Sequence, residues 1–146
     1  MYKKCTNSGE WDIIKETTGT KKDLVLLQGG GLYMCTRSEL NILLKKVSEV
    51  YKSVYGETLV RVILYGSYAR GDFSEDSDVD IVALVCGNRE KLQEQLKIVW
   101  NKTYDLGLDY DVVLSPAVIP YEEFERYQEE LPYYRNISTE GVNIVA

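Results

Sequence analysis

Histidine is absent from all 146 residues. That absence excludes Ser-His-Asp and Cys-His mechanisms and any zinc site built on imidazole, so metal chemistry here must rest on oxygen. Cysteine is scarce: Cys5, Cys35 and Cys86 lie far apart without a Cys-x-x-Cys pair, which suggests neither a zinc knuckle nor a disulfide framework. A reducing cytoplasm is the simplest setting, and Cys86, closing an apolar run, reads as a small buried apolar residue. No stretch approaches the roughly 18 apolar residues needed to span a bilayer, and Lys3 and Lys4 are not followed by a signal-peptide apolar region. Basic charge is also short, with 17 Lys and Arg against 23 Asp and Glu, a net charge of −6. Without a Lys/Arg block to track a phosphate backbone, a polynucleotide acceptor is disfavoured.

What is present suffices for one packed core, since 45% of the residues are hydrophobic. The most informative stretch joins two apolar runs. Val62-Ile63-Leu64-Tyr65 ends in Gly66-Ser67, and ten residues later Asp78-Val79-Asp80 opens Ile81-Val82-Ala83-Leu84-Val85. On a strand, residues 78 and 80 share a face about 7 Å apart, close enough to share cations. Paired carboxylates on a rigid edge suit Mg²⁺, a hard ion that takes oxygen ligands and leaves room for substrate phosphates. Gly66 permits a tight turn at which Ser67 can offer a backbone N–H and a hydroxyl to a triphosphate.

Rival readings of the same residues fail on position. As a calcium loop, Asp76, Asp78 and Asp80 would occupy positions 1, 3 and 5, but Ile81 stands where Gly is required and Gly87 where Glu belongs. As a P-loop, Gly66 and Gly71 are spaced correctly, yet Asp72 and Phe73 replace its Lys and Ser/Thr. Asp72, Glu75 and Asp76 read as a solvated acidic turn.

The string GSYARGDFSEDSDVDIVALV resembles the DNA polymerase beta-like nucleotidyltransferases, and within them the minimal, antitoxin-like members. The resemblance implies that Gly66 and Ser67 bind the triphosphate, that Asp78 and Asp80 hold Mg²⁺, with two ions expected, and that a third carboxylate lies on a later strand. Leu108-Asp109-Tyr110-Asp111-Val112-Val113-Leu114 reads as that strand. Asp109 and Asp111 share a face on it, and Asp111 is preferred because it immediately precedes the apolar run, as Asp80 does. The family role of the third carboxylate is to hold the catalytic metal and help deprotonate the attacking hydroxyl.

Arginines divide between roles. Arg70 can fork onto phosphate oxygens or pair at the surface with Asp72 or Asp76. Arg61 reads as facing solvent from the first strand, and Arg135 and Asn136 in Pro-Tyr-Tyr-Arg-Asn-Ile resemble a C-terminal segment of related transferases, with packing as their role.

Elsewhere the pattern gives an α/β order. Thr36-Arg37-Ser38-Glu39 forms a capping box, and Leu40, Leu43, Leu44, Val47, Val50 and Val54 recur at helical spacing until Gly56. Strands over 59–65 and 78–86 follow, then a helix marked by Leu92, Leu96, Val99, Thr103 and Leu106, and a strand over 109–114. Pro116 and Pro120 flank a connection into an acidic helix over 121–130, and Pro132 resets the chain before a short C-terminal segment. The expected fold is a small mixed β-sheet with helices packed on one face, the nucleotidyltransferase fold. Residues 1–33 form an extension without periodic pattern, and Met34 is an alternative start for a domain over 34–146.

The expected activity is Mg²⁺-dependent transfer of a nucleoside monophosphate, AMP from ATP, onto an acceptor hydroxyl with release of pyrophosphate. The resemblance suggests a HEPN-type protein partner as acceptor. Transfer to a small molecule such as an aminoglycoside, or a non-catalytic nucleotide-binding module that neutralises a partner by contact, are the alternatives.

Overall fold

The computed structural model describes residues 36–144. The expected extension 1–33, Met34, Cys5 and Cys35 lie outside them.

Helix α1 (Arg37–Tyr55) starts at the expected capping box: the Glu39 N–H donates to Thr36 Oγ1 at 3.2 Å and the Thr36 N–H to Glu39 Oε2 at 2.7 Å. Two of the four N–H groups that a helix start leaves without an internal partner are so addressed. Leu40, Leu43, Leu44 and Val47 form its buried stripe, joined by Tyr51 and Tyr55, which the aliphatic spacing alone does not single out. After a 3₁₀ turn, strand β1 (Leu59–Tyr65) runs into a one-turn helix α2 (Ser67–Arg70), a loop, and strand β2 (Val79–Val85). Asn88 caps helix α3 (Arg89–Tyr110) through its side chain, and strand β3 (Leu114–Pro120), helices α4 (Tyr121–Tyr127) and α5 (Pro132–Glu140), and strand β4 (Val142–Ile144) complete the order.

The sheet runs β3-β2-β1-β4, with β2 parallel to β3 and both pairings of β1 antiparallel. It is the mixed α/β sheet expected, but its helical cover extends to both faces. Val62, Leu64, Val79, Ile81, Ala83 and Val85 pack under α1 and α3, while Ile63, Val82, Leu84 and Ile119 meet Phe124, Tyr134 and Ile137 from α4 and α5. Strands buried on both faces lose polar alternation, which is why Val79–Val85 is apolar almost throughout. The Tyr51 hydroxyl ties α1 to the sheet, donating to the Ala117 carbonyl at 2.9 Å and lying 3.3 Å from that of Ile81.

Several boundaries differ from expectation. The strand expected over 109–114 does not exist: α3 continues through Tyr110, and Asp111 closes it in the left-handed region (φ 54°, ψ 44°), its N–H donating to the carbonyls of Gly107 and Leu108. The alternation in Leu108-Asp109-Tyr110-Asp111 fits a short strand, but Tyr110 also continues the helical stripe and packs against the core. Asp is among the few residues that tolerate such a cap, and the returning chain passes so near Gly107 that a Cβ there would lie 2.7 Å from the Val112 carbonyl oxygen. Pro116 and Pro120 lie inside β3 rather than flanking a connection. Proline is tolerated there because β3 is an edge strand and needs no outward donor. The acidic helix stops at Tyr127, and the C-terminal segment forms α5 and β4, with Pro132 at the helix start, where its missing N–H is harmless. Cys86 is half-buried and takes part in a disulfide, instead of being a free buried residue. No helix among the described residues is long and apolar enough to cross a membrane.

Candidate active site

Three strands bring one side chain each to the same point on the sheet. Tyr65 of β1 lies opposite Asp80 of β2, and Asp80 lies beside Ser115 of β3. All three fall on the face that α4 and α5 cover, because their neighbours Leu64, Ile81 and Leu114 belong to the other core. Asp78 joins them from just before β2. The Ser115 hydroxyl donates to Asp78 Oδ2 at 3.3 Å, so both carboxylates stand on this side, as their spacing of two predicts. Asp78 is exposed and Asp80 half-buried.

The turn after β1 closes against this pair. Gly66 adopts φ 75°, ψ −155°, a region that side chains rarely enter, and a Cβ built on it would overlap Asp80 Oδ2. Glycine is thus required twice over at position 66, and its consequence is that the Asp80 carboxylate rests directly on the Gly66-Ser67 turn. The turn is held by its own carbonyls: Arg70 and Ala69 donate to Gly66 at 3.0 and 3.1 Å, and Gly71 to Ser67 at 2.8 Å. Buried Tyr68 stacks on Phe73 with centroids 4.3 Å apart and planes 6° from parallel, anchoring the loop that leads to the carboxylates.

Electrostatics mark Asp80. Burial, and then the like charge of Asp78, push its carboxyl above the ordinary range, with the Arg70 charge pulling the other way. A pair of oxygen-donor carboxylates that repel each other in a partly desolvated position has the chemistry of a hard-cation site, and Asp78 and Asp80 fit Mg²⁺ on that ground. Arg70 is held at the surface by Asp72 at 3.1 Å and by Glu140 of α5 at 2.9 Å, and these hydrogen bonds raise its pKa further, that to Asp72 most. Its surface-pairing reading is therefore realised with Asp72, and Glu140 is an additional partner.

Asp109 sits in the last turn of α3 and Asp111 at its cap, so neither stands on the strand beside Asp80. Among the described residues, no group of three or more His, Cys, Asp or Glu side chains is arranged to hold a metal ion. The structure brings together Gly66, Ser67, Asp78 and Asp80, and leaves Asp111 outside any such group. Arg61 is exposed, as expected. Arg135 and Asn136 are exposed, with the Arg135 guanidinium on the Glu129 carbonyl, while their neighbours Tyr134 and Ile137 do the packing.

Sequence reasoning missed Ser115, Tyr65 and Tyr133. The Tyr65 and Tyr133 hydroxyls are 2.9 Å apart with the rings edge to face at 5.9 Å, and burial, followed by this bond, raises the Tyr65 pKa strongly. Ser115 carries a signal, being a polar residue inside an apolar strand, but only once β3 is placed over 114–120.

Comparison with known proteins agrees with the geometry. Residues 40–144 match the family model described as Nucleotidyltransferase domain. Three proteins of Methanocaldococcus jannaschii, provisionally named protein adenylyltransferases, are similar. One is 38% identical over 80 residues, covering 55% of this chain and 79% of that protein. A second is 34% identical, covering 67% and 90%, and a third 32% identical, covering 68% and 99%. A solved toxin–antitoxin structure, MntA–HpeT, aligns at 16% identity with a TM-score of 0.48 over 70% of this chain and 73% of that one. With the family model spanning both the Gly66-Ser67 turn and the Asp78/Asp80 pair, the chain belongs to the nucleotidyltransferase domain family and is an enzyme of that class.

Proposed function

We propose that the protein transfers AMP from ATP to a hydroxyl of a partner protein, with Asp78 and Asp80 holding Mg²⁺ and the Gly66-Ser67 turn receiving the triphosphate. The observation that supports this reading is the close approach of the Asp80 carboxylate to the Gly66 turn, which would put a cation held by Asp80 beside a phosphate received by the turn. Mg²⁺, when bound, would neutralise phosphate charge and polarise the phosphorus under attack. The acceptor oxygen bonds to the α-phosphorus, the bond from that phosphorus to the β-phosphate bridge oxygen breaks, pyrophosphate leaves, and the acceptor proton passes to a carboxylate or to water.

The chain's own residues act mainly by position. Ser67 offers its hydroxyl at the head of α2, Gly66 keeps the backbone low enough for phosphate to approach, and Tyr65 with Tyr133 walls the site on the β1 side. A protein acceptor is supported by the names of the M. jannaschii relatives. The family resemblance of the GSYARGDFSEDSDVDIVALV string points to a HEPN-type partner. The setting we infer is the cytoplasm, where ATP is supplied.

The test is incubation of the full chain with Mg²⁺ and α-labelled ATP, alone and with cell lysate, beside Asp78→Asn/Asp80→Asn. Label on a lysate protein with wild type only is the expected result. Nucleotide binding without any transfer would instead identify a module that neutralises its partner by contact.

A further inference from the structure

We propose that the chain carries an acceptor of its own: the Tyr133 hydroxyl of α5, presented to the transfer site and modified there with AMP in cis. The inference rests on the transferase reading above and adds a second acceptor to it.

Placement comes first. Tyr65 and Asp80 are cross-strand partners in β1 and β2, so their side chains leave the sheet on one face with Cβ atoms about 5 Å apart. The Tyr65 hydroxyl lies 2.9 Å from that of Tyr133. Tyr133 is thus one hydrogen bond away from the residue directly opposite Asp80. Helix α5 is fastened over this end of the sheet along one stripe, because Tyr133, Ile137 and Glu140 stand at i, i+4 and i+7. Tyr133 meets Tyr65, which precedes the Gly66-Ser67 turn, and Ile137 is buried in the core. Glu140 pairs at 2.9 Å with Arg70, which ends the one-turn helix behind that turn.

Exposure then separates Tyr133 from the hydroxyls around it. It is 46% exposed although it shares the stripe that buries Ile137. Tyr134, the next residue, is buried, with its hydroxyl taken by Glu123 and Arg89. Tyr65 is half-buried in a strand, where a nucleotide on its oxygen would have to fit between sheet and helix. The Ser115 hydroxyl is engaged with Asp78. Of these groups Tyr133 alone is both open to solvent and tied to the site.

The step balances without a co-reactant beyond ATP. The Tyr133 oxygen bonds to the α-phosphorus, the bond from that phosphorus to the β-phosphate bridge oxygen breaks, pyrophosphate leaves with the electron pair, and the phenol proton passes to a carboxylate or to water. An acceptor already held in place has an effective concentration that reaches on the order of 10⁵ M in well-oriented cases, so a neighbouring chain cannot compete with it. The phosphodiester formed carries a negative charge beside Asp78 and Asp80 and stands in the wall of the site, so the reaction stops at one AMP per chain.

The experiment incubates the full chain with Mg²⁺ and α-labelled ATP in the absence of other protein and locates the label by peptide mass spectrometry. The chain as purified is mapped in the same way, since modification during expression counts equally. AMP on Tyr133 is expected, at no more than one per chain, with a labelled fraction at a given time that does not change when the protein is diluted. Tyr133→Phe and Asp78→Asn/Asp80→Asn should take no label. AMP on Tyr134, Ser115 or another residue instead of Tyr133, labelling that speeds up with protein concentration, or label persisting in Tyr133→Phe would each overturn the proposal. Should a variant not fold, the map of the wild type decides alone. A wild-type chain that labels a lysate protein while staying unlabelled itself removes this inference and leaves the transferase reading standing. Absence of label on both removes both.

Discussion

Asp80 concentrates the conflict between stability and the proposed function at a single residue. Its carboxyl is pushed up by burial and by Asp78, so the folded state holds its proton more tightly than the unfolded chain does. Stability contributed by that proton is present below the unfolded pKa and is lost as pH rises through the higher folded value, leaving an ionised group that costs stability at neutral pH. Asp80→Asn removes the charge while keeping the shape. In metal-free protein the substitution should raise the melting temperature by about 2–4 °C, equivalent to roughly 0.5–1 kcal/mol. Saturating Mg²⁺ with nucleotide should stabilise the wild type and leave the variant behind, reversing the order. Thermal melts with and without Mg²⁺ and a non-hydrolysable nucleotide check both halves, and an unchanged order would argue against a cation at this carboxylate.

At the scale of elements, the long helices and two central strands are legible in the sequence for physical reasons. α1 has a capping box and an aliphatic stripe at 3.6-residue spacing, and both appear as read. β1 and β2 are short apolar runs bounded by Gly66 and by the acidic turn, and the turn chemistry fixes their ends. The site is legible to the same extent, because Gly66, Ser67, Asp78 and Asp80 lie within one local segment. What depends on pairing between distant segments is not legible. The position of the third strand is not legible because Leu108–Asp111 satisfies two periods at once, and only packing of Tyr110 against the core decides between them. Ser115 is invisible until β3 is registered against β2, and β4 is too short to announce itself. Tyr51 illustrates the energetic side, since its buried hydroxyl joins α1 to a backbone carbonyl in β3, close to one in β2. Tyr51→Phe should lower stability by about 1–2 kcal/mol, read from denaturant midpoints, with the slope of the transition unchanged.

For the whole molecule, the second face of the sheet is held by a cluster that joins α3, α4 and α5. Arg89 at the start of α3 bonds Glu123 of α4, and both meet the Tyr134 hydroxyl of α5. The Arg89 hydrogen bond is the largest cause holding Glu123 below the ordinary carboxylate range. Its contribution is therefore complete above the unfolded pKa and fades as pH falls through the lower folded value. Glu123→Gln should cost about 0.5–1 kcal/mol at pH 7, a modest figure because the pair is partly solvated. The gap from wild type should close as pH falls from about 5 into the acid limb. Melting temperatures across that range test the sign, and a gap that persisted at low pH would assign the effect to packing.

The two rims of the sheet are unequal in their capacity to recruit another chain. On the β3 side, Pro116 and Pro120 have no N–H to offer, so a foreign strand laid along that rim would find gaps in the ladder it tries to extend. On the β4 side the rim spans three of the described residues, Val142–Ile144. A sheet whose strands are as apolar as Val79–Val85 is the kind that fibrils exploit when its margins lie open. Here one margin is blunted by ring chemistry and the other by brevity, and a concentrated solution of the folded protein gains resistance to strand-by-strand aggregation from its two rims.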